Sequence, residues 1–139
     1  MKGFTIDEME IGQSASFSKT ITETDVTLFA GLSGDLNPVH VDESFAKTTI
    51  FHGRIAHGML CGSLISTVLG MYLPGPGSIY LKQELNFLAP VHFQDTLTAS
   101  CCVKEKRVEK NVVILDCKVT NQEGVVVIQG DAIILAPKD

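Results

Sequence analysis

An α+β domain in which one antiparallel sheet wraps a long buried helix is the fold class this sequence predicts, and three observations predict it. Residues 55–73 (IAHGMLCGSLISTVLGMYL) carry no acidic or basic group apart from His57, so the run is too apolar for a helix with one wet face. Pro74-Gly75-Pro76-Gly77 stops that run. From Ser78 onward the apolar period changes from helical to strand-like, with short, turn-rich connections. In a chain of 139 residues, a helix buried nearly all round needs a sheet curled about it.

The elements follow in order. Residues 14–22 (SASFSKTIT) alternate small or polar with apolar side chains and predict a first strand. Thr22, Thr24 and Asp25 offer N-caps for a helix over 25–32, where Val26, Phe29 and Ala30 fall at helical spacing and Gly31 and Gly34 can end it. Asp42 caps a short helix through Lys47 with Phe45 and Ala46 expected to face inward, and an irregular stretch leads to the long helix. Four strands are predicted after it, over 80–87, 96–106, 111–120 and 125–135. Turns at 108–111 and 121–124 make the last three antiparallel neighbours. The runs Val125-Val126-Val127-Ile128 and Ala132-Ile133-Ile134-Leu135 are more apolar than a strand with one solvated face requires, which favours a second covered face.

Composition excludes several classes. The net charge of −5, with 19% charged residues and no basic run, offers nothing to a nucleic acid or an anionic membrane. The 55–73 run is not read as a membrane span, because Gly58, Gly62, Ser63, Ser66, Thr67 and Gly70 dilute it and no positive cluster flanks it. Residues 1–10 lack the apolar run of a signal peptide, so a cytoplasmic location is expected. Cys61, Cys101, Cys102 and Cys117 show no metal-type spacing and read as small buried thiols. Residues 1–139 are expected to form one domain, with no repeat or linker to divide them.

The chemistry is concentrated in Gly34-Asp35-Leu36-Asn37-Pro38-Val39-His40. Pro38 pushes Asn37 toward extended geometry, so a helix cannot run through Asn37, and Gly, Asn and Pro together favour a turn that brings Asp35 and His40 close. Either residue alone is more simply a turn aspartate or a core histidine. Together, across Pro38, they equip an acid–base site. Asn37 suits a residue that holds the turn through its side chain. A metal set from His40, Asp42, His52 and His57 is disfavoured, since His40 and Asp42 face opposite ways in extended backbone. No phosphate loop or nucleotide fingerprint is present, so no cofactor is expected.

Residues 29–40 (FAGLSGDLNPVH) followed by 55–60 (IAHGML) resemble the MaoC-like (R)-specific enoyl-CoA hydratases of the hot dog fold. Residues 74–80 (PGPGSIY) and 86–91 (NFLAPV) extend the likeness over nearly the whole chain. The resemblance implies a sheet of about five strands wrapped on the central helix, and two subunits pairing into a homodimer with sites near the interface. It implies reversible addition of water to a short- or medium-chain trans-2-enoyl-CoA, giving an (R)-3-hydroxyacyl-CoA. CoA then enters as part of the substrate. Asp35 and His40 become a water-handling dyad. Gly58, beside His57 at the head of the long helix, would offer its N–H to the thioester oxygen, as the helix terminus favours. Ser66 matches an active-site serine of the family, and Val68 and Leu69 would shape the acyl pocket. Competing readings are a hot dog thioesterase and a non-catalytic acyl-CoA-binding subunit; retention of both Asp35 and His40 argues against each.

Overall fold

A computed structural model describes residues 1–139. The elements are β1 (Ser14–Thr20), α1 (Glu23–Ser33), α2 (Pro38–Val41), α3 (Glu43–Ala46), α4 (Gly58–Met71), β2 (Ile79–Gln83), β3 (Asn86–Phe87), β4 (Thr96–Arg107), β5 (Val112–Thr120) and β6 (Val126–Leu135). A 3₁₀ turn at Val108–Lys110 joins β4 to β5. All strand pairs are antiparallel, in the order β1-β4-β5-β6-β2 with β3 also on β6.

Register explains how the sheet wraps α4. Ala99 lies opposite Val119, which lies opposite Ile128; Val103, Leu115 and Ala132 form a parallel row, so one face is apolar across three strands. Cys61, Leu64, Ile65, Val68 and Leu69 of α4 pack into that face, and all are buried with it in a single apolar cluster. This is the hot dog arrangement. No helix is long and apolar enough to cross a membrane.

Four details depart from the sequence reading. Helix α4 begins at Gly58 rather than Ile55, because the Ala56 N–H bonds the Val91 carbonyl (2.8 Å) and Ile55 bridges His92, which holds 55–57 extended. The strand expected over 80–87 is two strands, so the sheet has six rather than five. Regular strand geometry is interrupted at Glu84 and Leu85, although the Glu84 N–H still bonds the Asp131 carbonyl (2.9 Å), and pairing resumes without a slip, Gln83 facing Ala132 and Asn86 facing Gln129. Gly130 of β6 makes this crossing possible, since a Cβ there would lie 1.9 Å from the Glu84 carbonyl oxygen. Phe45 points outward while Ala46 is buried. His40 does not lie on extended backbone: Pro38 bars a helix before it but starts one after it, and Pro38–Val41 is a helical turn with Asn37 as N-cap.

Candidate active site

The motif's turn is built by a relay of side chains onto backbone. Thr22 and Asp25 form a capping box that starts α1. Gly34 ends it at φ 79°, a left-handed conformation that glycine adopts freely. The Asp35 N–H then donates to Ser33 Oγ (3.1 Å), the Asn37 N–H to Asp35 Oδ1 (3.1 Å) and the Val39 N–H to Asn37 Oδ1 (3.2 Å). One Asp35 oxygen is thereby committed to the turn, and Oδ2 has no protein partner among these bonds.

Residues 54–57 strap this turn to the body. Arg54 Nε donates to the His40 carbonyl (2.7 Å), its guanidinium pairs with Glu23 of α1 (2.8 Å) and it lies 4.9 Å over the Phe93 ring. His40 Nδ1 lies 2.8 Å from the Ile55 carbonyl. A carbonyl only accepts, so Nδ1 carries the proton and Nε2 is left to exchange one. His57 Nε2 donates in the same way to the Asp35 carbonyl (3.0 Å). The His57 ring stacks on that of His40, with centroids 3.8 Å apart and planes 27° apart, and Phe29 closes on its other side at 4.8 Å.

A carboxylate oxygen of Asp35 and a ring nitrogen from each of His40 and His57 lie within 4.8 Å of one another. No direct hydrogen bond joins Asp35 to His40, and this spacing suits one water held between them. Asp35 is exposed in the single chain, whereas His40 and His57 are buried. The three side chains are a poor cation site. Stacked rings keep their in-plane lone pairs in two separate, nearly parallel planes rather than aiming them at one point, and His57 Nε2 already donates its proton. The set weighed from sequence does not assemble either, for Asp42 caps α3 through the Phe45 N–H (3.2 Å).

These groups stand at the polar end of a groove of about 530 Å³ whose walls include Phe51, Met59, Phe87, Leu88 and Ile128. Gly58 opens on it as the first residue of α4, where N–H groups have no intrahelical acceptor. A Cβ at Gly58 would meet the Phe87 ring at 2.8 Å, so close packing also requires the glycine. Cys61 borders the groove too, but burial pushes its thiol up to about 12, which keeps it neutral and a poor nucleophile.

The structure thus brings Asp35, His40 and Gly58 together. It does not bring the other four expected residues to this groove. Asn37 caps α2, Val68 and Leu69 are sealed in the core, and Ser66 is exposed on the outward face of α4 beside a second groove with Gly62, Tyr80 and Leu85. Sequence reasoning did not find the ties of Arg54 to His40 and Glu23 or the packing of His57 on His40. Only their nearness in sequence to Gly58 could have drawn attention to them.

The family model described as "MaoC like domain" matches residues 7–124. The chain belongs to the MaoC-like family. This MaoC-like chain is 51% identical over 131 residues to the (R)-specific enoyl-CoA hydratase of Rhodospirillum rubrum, covering 94% of itself and 90% of that protein. It is 43% identical to the (R)-specific enoyl-CoA hydratase of Aeromonas caviae, covering 93% of itself and 96% of that protein. The unliganded structure of R-hydratase PhaJ1 from Pseudomonas aeruginosa superimposes with a TM-score of 0.93 at 47% identity, covering 99% of this chain and 88% of that one.

Proposed function

We propose that residues 1–139 act as one domain and that this chain is an (R)-specific enoyl-CoA hydratase, a hydro-lyase that reversibly hydrates short- to medium-chain trans-2-enoyl-CoA to (R)-3-hydroxyacyl-CoA. The observation that carries the reading is the meeting of the Asp35 carboxylate, His40 Nε2 and the Gly58 end of α4 at the polar end of one apolar groove. The hydratases at 51% and 43% identity support it.

The chemistry follows from which atoms are free. With Oδ1 held by the Asn37 N–H, Asp35 Oδ2 takes a proton from the water that attacks Cβ. His40, fixed by its Nδ1–H on the Ile55 carbonyl, carries a second proton at Nε2 in this step and gives it to Cα; the proton that Asp35 took then passes to Nε2 through water, so both groups end as they began. As the double bond is lost, negative charge builds on the thioester oxygen, and the free N–H at Gly58 with the positive end of α4 stabilises it. A carboxylate oxygen of Asp35 and a ring nitrogen of His40 lie within 4.8 Å of each other at one end of the groove, so oxygen and hydrogen are delivered to one face of the alkene. The enoyl chain lies along the apolar walls, and no bound cofactor takes part.

The active form is a homodimer. Ile79, Tyr80 and Leu81 are exposed on the free edge strand β2, as are Met59 and Met71 on α4, and an uncovered apolar edge favours strand pairing with a second copy. Ser66 stands on that same face, so its contact with substrate belongs to the paired state; Val68 and Leu69 support the groove from the core side. Four free thiols fit a reducing cytoplasm.

The test mixes purified protein with crotonyl-CoA, follows loss of the conjugated thioester absorbance and assigns product chirality with stereospecific dehydrogenases. Formation of (R)-3-hydroxybutyryl-CoA is the expected result. Free CoA without a hydroxyacyl product would replace the reading with a thioesterase, and acyl-CoA binding without turnover would replace it with a binding subunit.

A further inference from the structure

We propose that His57 is a positioning residue for hydration, one that sets the Asp35 turn and the His40 ring against each other through a single N–H and a ring face. The inference rests on the hydratase reading above. His57 touches neither end of the reacting double bond in that scheme, yet its side chain contacts both members of the dyad. Its Nε2–H holds the Asp35 carbonyl at 3.0 Å, and its ring lies face to face with His40 at 3.8 Å. As the residue before Gly58, it also joins both to the head of α4.

An observation about the opposite nitrogen separates positioning from mere filling of space. His57 is 2% exposed, and its Nδ1 is buried with no hydrogen-bond partner. A lone pair removed from water without a donor is unfavourable, and an apolar ring of similar shape between Phe29 and His40 avoids it. Phenylalanine would therefore serve packing better than histidine does. What histidine adds is the donor at Nε2, aimed at the backbone of the residue whose carboxylate takes the water proton. Without that bond, the Asp35 carbonyl loses its only tie to the 54–57 strap, and the carboxylate is free to drift from His40. Such misplacement acts on the transition state more than on CoA binding.

The test compares kcat and KM for crotonyl-CoA, together with thermal unfolding, in wild type, His57→Phe, His57→Gln and His57→Met. His57→Phe keeps a ring between Phe29 and His40 and removes the donor; kcat is expected to fall about 10- to 100-fold with KM changed less than about twofold and with no loss of thermal stability. Gln and Met are close in shape and differ in the donor, so kcat of His57→Gln should exceed that of His57→Met by about tenfold; this pair decides the matter if the Phe variant does not fold. A folded His57→Phe with wild-type kcat, equal kcat in the Gln and Met variants, or a loss confined to KM would each overturn the proposal. Wild-type protein silent toward crotonyl-CoA would overturn the hydratase reading itself, whatever the variants do.

Discussion

Around α4 the protein is held by apolar contact: Ile65, Val68 and Leu69 meet Leu97, Ala99, Leu115 and Val119 in a closed cluster. Across the N-terminal end of that helix, the segment from Thr22 to His57 is held differently. Its anchors are directional, namely a capping box at Thr22, the Ser33-Asp35-Asn37 relay, and Arg54, His40 and His57 bonded to backbone carbonyls. The apolar face of this segment is largely open, with Leu28, Leu32, Leu36 and Ile50 exposed. Apolar burial is non-directional and stabilises any well-filled arrangement, whereas a hydrogen bond to a particular carbonyl fixes an atom to within a fraction of an ångström. With the site proposed above, the two regions divide stability from catalysis, and substitutions should separate the two quantities.

The largest effect expected is on the catalytic side. Asp35→Asn keeps an Oδ1 to receive the Asn37 N–H but removes the proposed base, so kcat/KM for crotonyl-CoA should fall by about 10²–10⁴-fold. Thermal unfolding, measured alongside, should shift little because Asp35 is exposed. A stability loss as large as a core mutant's would erase the division. The converse is Leu115→Ala in the middle of β5, where the side chain is fully buried. A cost of about 2–5 kcal/mol in urea unfolding is expected, with kcat per folded molecule near wild type. A collapse of kcat in the folded fraction would show that the site depends on core packing after all.

Between these extremes lies Arg54, which ties His40 and Glu23 together from the strap. Arg54→Met keeps an aliphatic stem near Phe93 and loses both polar ties. A fall in kcat of about tenfold is expected from a looser His40, with a stability cost of about 1–3 kcal/mol for a partly buried charged hydrogen-bond donor. Crotonyl-CoA kinetics and urea unfolding on one preparation measure both. Unchanged kcat would restrict the role of Arg54 to stability.

The same division governs what was legible in the sequence. The core was readable because burial leaves a period: the uncharged run of α4 and the alternation in β4–β6 each report one element's own environment. Where a distant element intervenes, the period misleads. Ile55 and Ala56 look like the first turn of α4 but pair with His92 and Val91, and the break in the 80–87 strand depends on Gly130 of another strand. The turn that carries Asp35 and His40 was legible for a local reason, since Gly34 to Pro38 make it themselves. The partnership of His57 with Asp35 and His40 was not, because it joins residues 22 and 17 positions apart through a carbonyl and a ring face that leave no compositional trace. Ser66, Val68 and Leu69 illustrate a related limit: helical spacing places them on α4, but only the wrapped sheet decides which face looks into the groove.

The smallest effect expected lies at the start of the directional segment. Asp25 Oδ2 accepts from Lys19 Nζ (2.8 Å) and from the Thr22 N–H (2.9 Å), and these two partners, Lys19 first, hold its carboxyl below the ordinary value of 3.8. A group whose folded value lies below its unfolded one binds its proton more weakly in the native state. Its stabilisation is therefore complete above the unfolded value and is lost as pH falls through the lower, folded value. Asp25→Asn should cost about 0.5–1 kcal/mol at pH 7, as for a weakened helix cap. The cost should shrink as the pH drops below 3.8, because protonation then disables wild type as well. Urea titrations at pH 7 and pH 2.5 measure the difference. Since Asp25 anchors the segment some way from the dyad, kcat should stay within about twofold of wild type. A larger drop would mean that the capping box, and not only the 54–57 strap, sets the position of Asp35.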